Sequence, residues 1–353
     1  MAKKVMVAMS GGVDSSVAAF LLKNAGYEVT GVTMCLGAEL SGEKRCCGLD
    51  AIEDARRVCD RLQLPHYVFD YSREMEERVI GKFVTEYSRG RTPNPCVDCN
   101  RFLKFGSLLQ KTAALGFDYL ATGHYATITQ EQGTFFLKKP QDKVKDQTYF
   151  LYATPYEALS KILFPLADLT KSEVRNIALK AALPVADKVE SQDLCFVDRY
   201  SYSDFVAQRM DAIQPGPIVD QAGQMLGTHR GIVYYTIGQR SGLGIAHCVP
   251  LYVVAIDAAN NRLIVGEKAA LKARGLVAGD LNLLTTRWPV EVEAKIRYRR
   301  KPSRCDLTWA SGKIKVIFQE EEEAITPGQA VVFYQGDYVV GGGAIEEVIH
   351  GTC

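Results

Sequence analysis

Two sets of residues in this chain have the types and spacing to do chemistry, and the first is Ser10-Gly11-Gly12-Val13-Asp14-Ser15. Adjacent glycines between a short apolar run and a helical pattern leave backbone N–H groups free to face a phosphate. The N-terminus of the following helix adds its partial positive charge. Ser10 and Ser15 supply hydroxyl donors, while Gly11 and Gly12 permit close approach and positive φ. Asp14 falls in the first helical turn, where it can cap the helix or help to hold Mg2+. The run lacks the Gly-Lys-Ser ending of a loop that cleaves a γ-phosphate, so that chemistry is disfavoured. The plain alternative is a glycine turn with an Asp/Ser cap.

The second set is thiol. Ten cysteines are scattered over 353 residues, which is not the framing of a small secreted disulfide scaffold, so thiol chemistry or metal binding is the better expectation. Cys35 and Cys59 lie in apolar patterns and read as small buried hydrophobes. In Thr92-Pro-Asn-Pro-Cys-Val-Asp-Cys-Asn100 two prolines stiffen the approach to Cys96 and Cys99, expected on a loop just before a helix that begins near Arg101. A helix N-terminus stabilises thiolates, making such cysteines nucleophiles or metal ligands. A lone Cys-x-x-Cys is ambiguous among a redox pair, half a zinc site and coincidence, and no second one exists. Cys195 lies in Glu190-Ser-Gln-Asp-Leu-Cys-Phe196, a polar stretch ending in an apolar residue, with a buried core thiol as its bland reading. Cys46-Cys47, after Lys44-Arg45, reads as a loop thiol pair, and His229 and His247 lack metal-ligand spacing.

Positioning these groups requires a sheet. Residues 4–9, 27–36, 66–70 and 117–122 read as strands; residues 14–25, 49–63, 73–89 and 101–115 read as helices, the first closed by Gly26. Such alternation predicts an α/β domain, a Rossmann-like parallel sheet covered on both faces. Ligands sit at the carboxyl ends of its strands, where the glycine loop, Met34 and Gly123-His124 fall. From about residue 200 short strand-like runs at 251–257, 262–266, 292–298, 314–319 and 329–340 predict a β-rich region, a small barrel or sandwich. Domains are expected at 1–204, 205–272 and 273–353. Glu320–Glu323 reads as a solvated turn. The run 295–304 holds six cations and Tyr298, which suits RNA phosphates and a stacked base, or else a charge-guarded edge strand. A net charge of +1 neither suggests nor excludes a nucleic acid. No apolar run approaches the roughly 18 residues of a membrane span, and no signal peptide is read, so a cytoplasmic monomer is expected.

Seven strings, in order, resemble those of the tRNA-specific 2-thiouridylases over nearly the whole chain. They are 8–15, 92–100, 121–126, 145–150, 191–196, 226–231 with 235–240, and 327–329 ahead of 341–343. The glycine loop resembles the pyrophosphatase loop of enzymes that adenylate a substrate oxygen. The resemblance implies an N-terminal ATP-binding domain, a small central domain and a C-terminal β-barrel. It also implies sulfur insertion at C2 of the wobble uridine, position 34, in tRNAs for lysine, glutamate and glutamine. ATP with Mg2+ activates the C2 oxygen, and sulfur arrives as a persulfide from a cysteine desulfurase or relay protein. By matching motif, Cys195 carries the persulfide and Cys99 is the nucleophile, leaving a Cys99–Cys195 disulfide. ATP contacts fall to Ala8, Met9, Ser10, Gly11, Gly12, Val13, Asp14, Ser15, Met34 and Gly123. Asn94, Pro95 and Cys96 would lie against the target base. His124, Lys145, Asp146, Gln147, Arg297, Tyr298 and Gln329 would touch tRNA. Several family members carry Asp where this chain has Cys96, which puts that carboxylate's role in doubt. It also opens a second reading, an iron–sulfur cluster on Cys96, Cys99 and Cys195. Rivals are another adenylating ligase of the same loop superfamily and a non-catalytic RNA- or zinc-binding module.

Overall fold

The computed structural model describes residues 2–37, 49–189, 195–197, 201–210, 212–285, 288 and 291–351. Cys46-Cys47 and Ser191–Leu194 lie outside them. The chain forms two compact units: Met1–Val79 with Cys96–Asp198 and Asp337–Val339, and Ile80–Pro95 with Arg199–Gly336 and Val340–Cys353.

The first unit is built on a five-stranded parallel sheet. Its strands are β1 (Lys4–Ala8), β2 (Glu28–Cys35), β3 (His66–Asp70), β4 (Tyr119–Thr122) and, after a β5–β6 hairpin (Thr127–Glu131, Thr134–Lys138), β7 (Ile162–Leu163). The order is β3-β2-β1-β4-β7, with Val5 in register with both Val29 and Tyr119. The chain therefore leaves β1 to one side and β4 to the other, a switch point at which the loops after both strands open toward a ligand. Val5 and Val7 are fully buried, as a strand covered on both faces requires. Helix α1 (Val13–Asn24) packs on them through Val17, Ala18 and Ala19, small side chains that let it lie close to the sheet. Helix α2 (Leu49–Arg61) contributes Ala55, Val58 and Cys59 to the same core. The Lys171–Lys180 helix joins it through Val174 and Ala178, and a Thr170/Glu173 capping box starts that helix.

Where the sequence pattern places a loop followed by a helix from 101, the chain is already helical at Pro95. Segment Pro95–Asp98 runs into a π-helical stretch, Cys99–Leu108, and ends with Leu109–Ala114. The misreading has a physical source: Pro at the first helical position lacks only an N–H that would go unpaired anyway, so it starts a helix as readily as it stiffens a loop. π-helical turns are rare and concentrate at functional sites.

The second unit carries a four-stranded sheet ordered β10-β11-β8-β9 (β8 Gly216–Val219, β9 Met225–His229, β10 Tyr252–Asp257, β11 Arg262–Gly266). Strands β12 (Lys272–Leu283), β13 (Val292–Lys295), β14 (Ser303–Ala310), β15 (Lys313–Glu323), β16 (Ala330–Gln335) and β17 (Tyr338–Ile349) follow. They run in the order β12-β15-β14-β13-β16-β17, and β12 pairs with β17 to close a barrel. Leu276, Val316, Phe318, Val331, Phe333 and Ile345 fill its interior. Glu320–Glu323 is the end of β15 rather than a turn, and Glu322 there meets Arg300 at 3.2 Å and Ser303. No helix among the described residues is long and apolar enough to cross a membrane.

Phe333 is wholly buried in the barrel. Phe333→Ala is expected to cost about 3–5 kcal/mol, read as a lower urea midpoint for the second unit's unfolding.

Candidate functional site

The loop after β1 is drawn into shape by its own hydroxyls. Ser10 N–H donates to Ser15 Oγ at 3.2 Å, Ser15 Oγ donates to the Gly12 carbonyl at 3.2 Å, and Ser16 Oγ reaches the same carbonyl at 2.8 Å. Gly11 has φ +67°, and a Cβ there would collide with the Ala51 carbonyl of α2, so only glycine fits. The N–H groups of Gly11, Gly12, Val13 and Asp14 find no acceptor among the described residues. They sit at the N-terminus of α1, where an anion is the natural partner. Met9 and Val13 are buried and Ala8 is half-buried, so these positions offer backbone only; Met9 N–H is already spent on the Val32 carbonyl at 2.7 Å. Met34 stands half-buried near the carboxyl end of β2.

Two lysines absent from the sequence reading converge on this loop. Lys171 Nζ donates to both carboxylate oxygens of Asp14 at 2.7 Å, and Tyr125 Oη donates to Asp14 Oδ1 at 2.8 Å. Lys188 Nζ donates to the Gly11 carbonyl at 3.1 Å and to Asp54 Oδ2 at 2.5 Å. Burial pushes the Asp54 carboxyl up, but the hydrogen bonds from Lys188 and Arg57 outweigh it and hold the group below its ordinary value. Asp14 thus accepts three hydrogen bonds, from a lysine and a tyrosine. Among the described residues no three acidic, histidine or cysteine side chains are grouped to hold a metal ion.

Residues 123–125 tie this loop to Lys104 of the π-helical stretch that Cys99 opens. A Cβ on Gly123 would lie 2.6 Å from Ser15 N, so glycine is required for the turn after β4 to abut α1. Tyr125 binds Asp14, and its N–H is held by Gln147 Oε1 at 2.9 Å. Between them, His124 points the other way: its Nε2 is 3.5 Å from Lys104 Nζ and its Nδ1 is 2.7 Å from Thr122 Oγ1. An ammonium only donates, so Nε2 is the acceptor and Nδ1 carries the proton given to Thr122. Burial and then the Lys104 charge hold His124 well below its ordinary pKa, and it is neutral.

Cys96, Cys99 and Cys195 are free thiols, close enough for Cys99 and Cys96 both to act on Cys195. Cys99 is buried, whereas Cys96 and Cys195 keep exposed surface, yet the surrounding protein desolvates all three. Burial raises the pKa of Cys96 and Cys99, opposed in each by Lys104; Asp98 adds to the rise at Cys99. Burial, followed by the Cys99 and Cys96 charges, pushes Cys195 up to about 12. The thiolates expected from a helix N-terminus are therefore not the resting state: desolvation outweighs the helix dipole. Cys59 is a buried free thiol as read, but Cys35, read alike, is disulfide-bonded.

The residues expected to touch tRNA divide. Asp146 is buried, accepting from Thr148 N at 2.9 Å and Thr148 Oγ1 at 2.6 Å, and Gln147 braces Tyr125; both hold the fold, while Lys145 is half-buried. In the second unit Arg297 Nη2 donates to the Ala324 carbonyl at 2.8 Å and Thr326 Oγ1 at 2.9 Å, so its guanidinium is an internal brace. Lys295 is buried with its ammonium 5.4 Å from the half-buried Tyr298 ring; Arg299, Lys301 and Arg304 are the exposed cations of that run. Gln329 Nε2 donates to the Thr92 carbonyl at 2.8 Å, and Thr92 N–H donates to the Pro327 carbonyl at 2.9 Å. Gln329 thereby fixes the segment leading to Asn94, half-buried, and Pro95, buried.

A family profile described as the tRNA methyl transferase HUP domain matches residues 3–199; its PRC-barrel counterpart matches 203–267, and an aminomethyltransferase beta-barrel profile matches 273–345. The chain is 59% identical over 349 residues to tRNA-specific 2-thiouridylase MnmA 1 of Syntrophus aciditrophicus (strain SB), covering 99% of this chain and 94% of that one. It is 51% identical over 356 residues to tRNA-specific 2-thiouridylase MnmA of Moorella thermoacetica, covering 97% and 99%. The solved U34-tRNA thiolase NcsA of Methanococcus maripaludis with its [4Fe-4S] cluster overlaps 59% of this chain and 64% of that one. The overlap has 17% identity and a TM-score of 0.36, too slight a likeness to bear on fold or cluster.

With Cys195 pushed up to about 12, its alkylation by iodoacetamide at pH 7.5 is expected to be far slower than that of an ordinary free thiol. The rate should climb about tenfold per pH unit through neutral pH, because only the thiolate reacts. Peptide mass spectrometry reads it; a rate already at its plateau near pH 8 would contradict the desolvation.

Proposed function

The chain belongs to the tRNA-specific 2-thiouridylase family, and from that premise we propose that it uses ATP and a persulfide to place sulfur at C2 of uridine 34 in tRNAs for lysine, glutamate and glutamine. One observation carries the reading: within one unit, Gly123, His124 and Tyr125 join an anion-ready loop to Lys104, on the same π-helical stretch that begins at the free thiol Cys99.

Under this reading the unengaged N–H groups of residues 11–14 receive the phosphates, with Ser10, Ser15, Met34 and Gly123 around the nucleotide. Lys171 and Lys188 supply positive charge where pyrophosphate departs. Mg2+ enters with the ATP phosphates rather than in a cage of protein carboxylates. Transfer of AMP to the C2 oxygen turns a poor leaving group into a good one. The terminal sulfur of the Cys195 persulfide attacks C2 and AMP leaves. Cys99 thiolate then attacks the Cys195 sulfur, breaking the S–S bond. The electron pair stays with the sulfur on the base, a Cys99–Cys195 disulfide forms, and a cellular thiol reduces it. Cys96, where several family members carry Asp, is read with Asn94 and Pro95 as lying against the base, and Asp98 is one candidate to replace that carboxylate. The persulfide donor is a cysteine desulfurase or relay protein. The three thiols do not form a metal-holding group among the described residues, and no step needs a cluster.

The test is incubation with ATP, a persulfide donor and unmodified tRNA, followed by nucleoside mass analysis. 2-Thiouridine and AMP are expected together, and both Cys99→Ser and Cys195→Ser should reduce 2-thiouridine to background. An adenylating ligase of another kind would keep its activity in Cys99→Ser. On the RNA side, charge reversal at Arg299 and Lys301, the exposed cations, should weaken tRNA binding and lower its salt slope by about one per lost phosphate contact. ATP binding should be untouched, and unchanged tRNA affinity would remove this surface from the interface.

A further inference from the structure

The π-helical stretch changes which side chains share a face. With a turn of more than four residues, a group at i is flanked by i+4 and i+5 rather than by i+3 and i+4. Cys99 opens the stretch and Lys104 lies five residues on. Lys104 is half-buried and does not wander: its ammonium donates to Asn100 Oδ1 at 2.9 Å and meets His124 Nε2 at 3.5 Å. Asn100 is itself tied by Nδ2 to the Phe150 carbonyl at 3.0 Å, and His124 by Nδ1 to Thr122. Lys104 is thus clamped between two side chains that are each fixed to other elements. Among the described residues it meets no carboxylate, and an ammonium has more donors than the two acceptors it meets here.

Resting on the sulfur-transfer reading above, we propose that Lys104 is a positioning residue for that chemistry. The π-helical stretch carries both Cys99 and the clamped ammonium, which holds the anionic sulfur of Cys99 in the attacking form and steadies negative charge on Cys195. The groups that face the thiols support the assignment. Asp98 opposes ionisation of Cys99, the thiols oppose one another, His124 is neutral, and Lys104 is the cation felt by all three cysteines. Burial outweighs it in the resting protein, so its contribution is to keep the thiolate reachable in a desolvated place. It remains a spectator cation throughout: it neither loses its proton nor forms a bond.

The experiment compares wild type, Lys104→Met and Lys104→Arg, using the rate of Cys99 alkylation against pH, resolved by peptide mass spectrometry. The Met variant should move the Cys99 profile upward by one pH unit or more, about tenfold less thiolate at a given neutral pH. The Arg variant, which keeps the charge, should stay near wild type. Turnover to 2-thiouridine should fall in the Met variant by a similar factor and recover in part as pH rises. An unchanged Cys99 profile in a folded Met variant, with melting temperature as the control, overturns the proposal. Equal shifts in the Met and Arg variants overturn it as well, because they would mean packing rather than charge. The alkylation arm needs no tRNA, so it is decided separately from the proposed function, which fails if Cys99→Ser still makes 2-thiouridine.

Discussion

A loop that is to receive several phosphate oxygens has to be shaped before they arrive, and nothing nearby may repel them. In this chain the requirement is met by pairing each local acid with a resident lysine. Asp14 would face incoming phosphates as a bare carboxylate, but Lys171 covers both its oxygens. Asp54 and the Gly11 carbonyl are covered by Lys188. Hydrogen bonds to charged groups contribute about 1.5–3 kcal/mol each, so these contacts also fix the loop against α2 and the Lys171–Lys180 helix. The same lysines remain as positive charge at the rim once phosphate oxygens compete for them.

What could be read in advance follows from how local each feature is. The glycine loop was legible because its shape depends on six consecutive residues, and the order of strands and helices followed from their periodicity. Lys171 and Lys188 were not legible. They reach the loop from more than 150 residues away, and a lysine near a helix start carries no signal about which acid it will meet. Tyr125 stood inside the quoted string 121–126, yet its hydroxyl's target, Asp14, appears only in three dimensions. The cation run 295–304 was visible, but which of its members are spent inside the fold was not: Arg297 braces carbonyls while Arg299 and Lys301 stand out. Glu320–Glu323 resembles a turn by charge, yet Glu322 and Glu323 pair with Ala273 and Lys272 of β12, and Arg300 and Ser303 satisfy the Glu322 carboxylate.

The thiol cluster illustrates a contest between two electrostatic effects of opposite sign. A helix N-terminus favours thiolate, whereas desolvation favours thiol, and within crowded protein the second wins. A neutral resting thiol is slow to meet oxidants and alkylators, which suits cysteines that keep exposed surface between turnovers.

The two compact units are not consecutive in sequence. Asp337–Val339 complete the first, where the Asp337 carbonyl accepts from Lys139 N–H at 2.9 Å and Tyr338 pairs with Lys138. Ile80–Pro95 belong to the second, with Thr92 clasped by Pro327 and Gln329. During synthesis, at roughly 5–20 residues per second, Thr92 waits through more than two hundred further residues for Pro327 and Gln329, and the β5–β6 hairpin waits nearly as long for its edge. Neither unit can finish on the ribosome ahead of the other. The chain is committed to late, joint completion, and cutting it near residue 200 would leave two fragments each missing a piece held by the other.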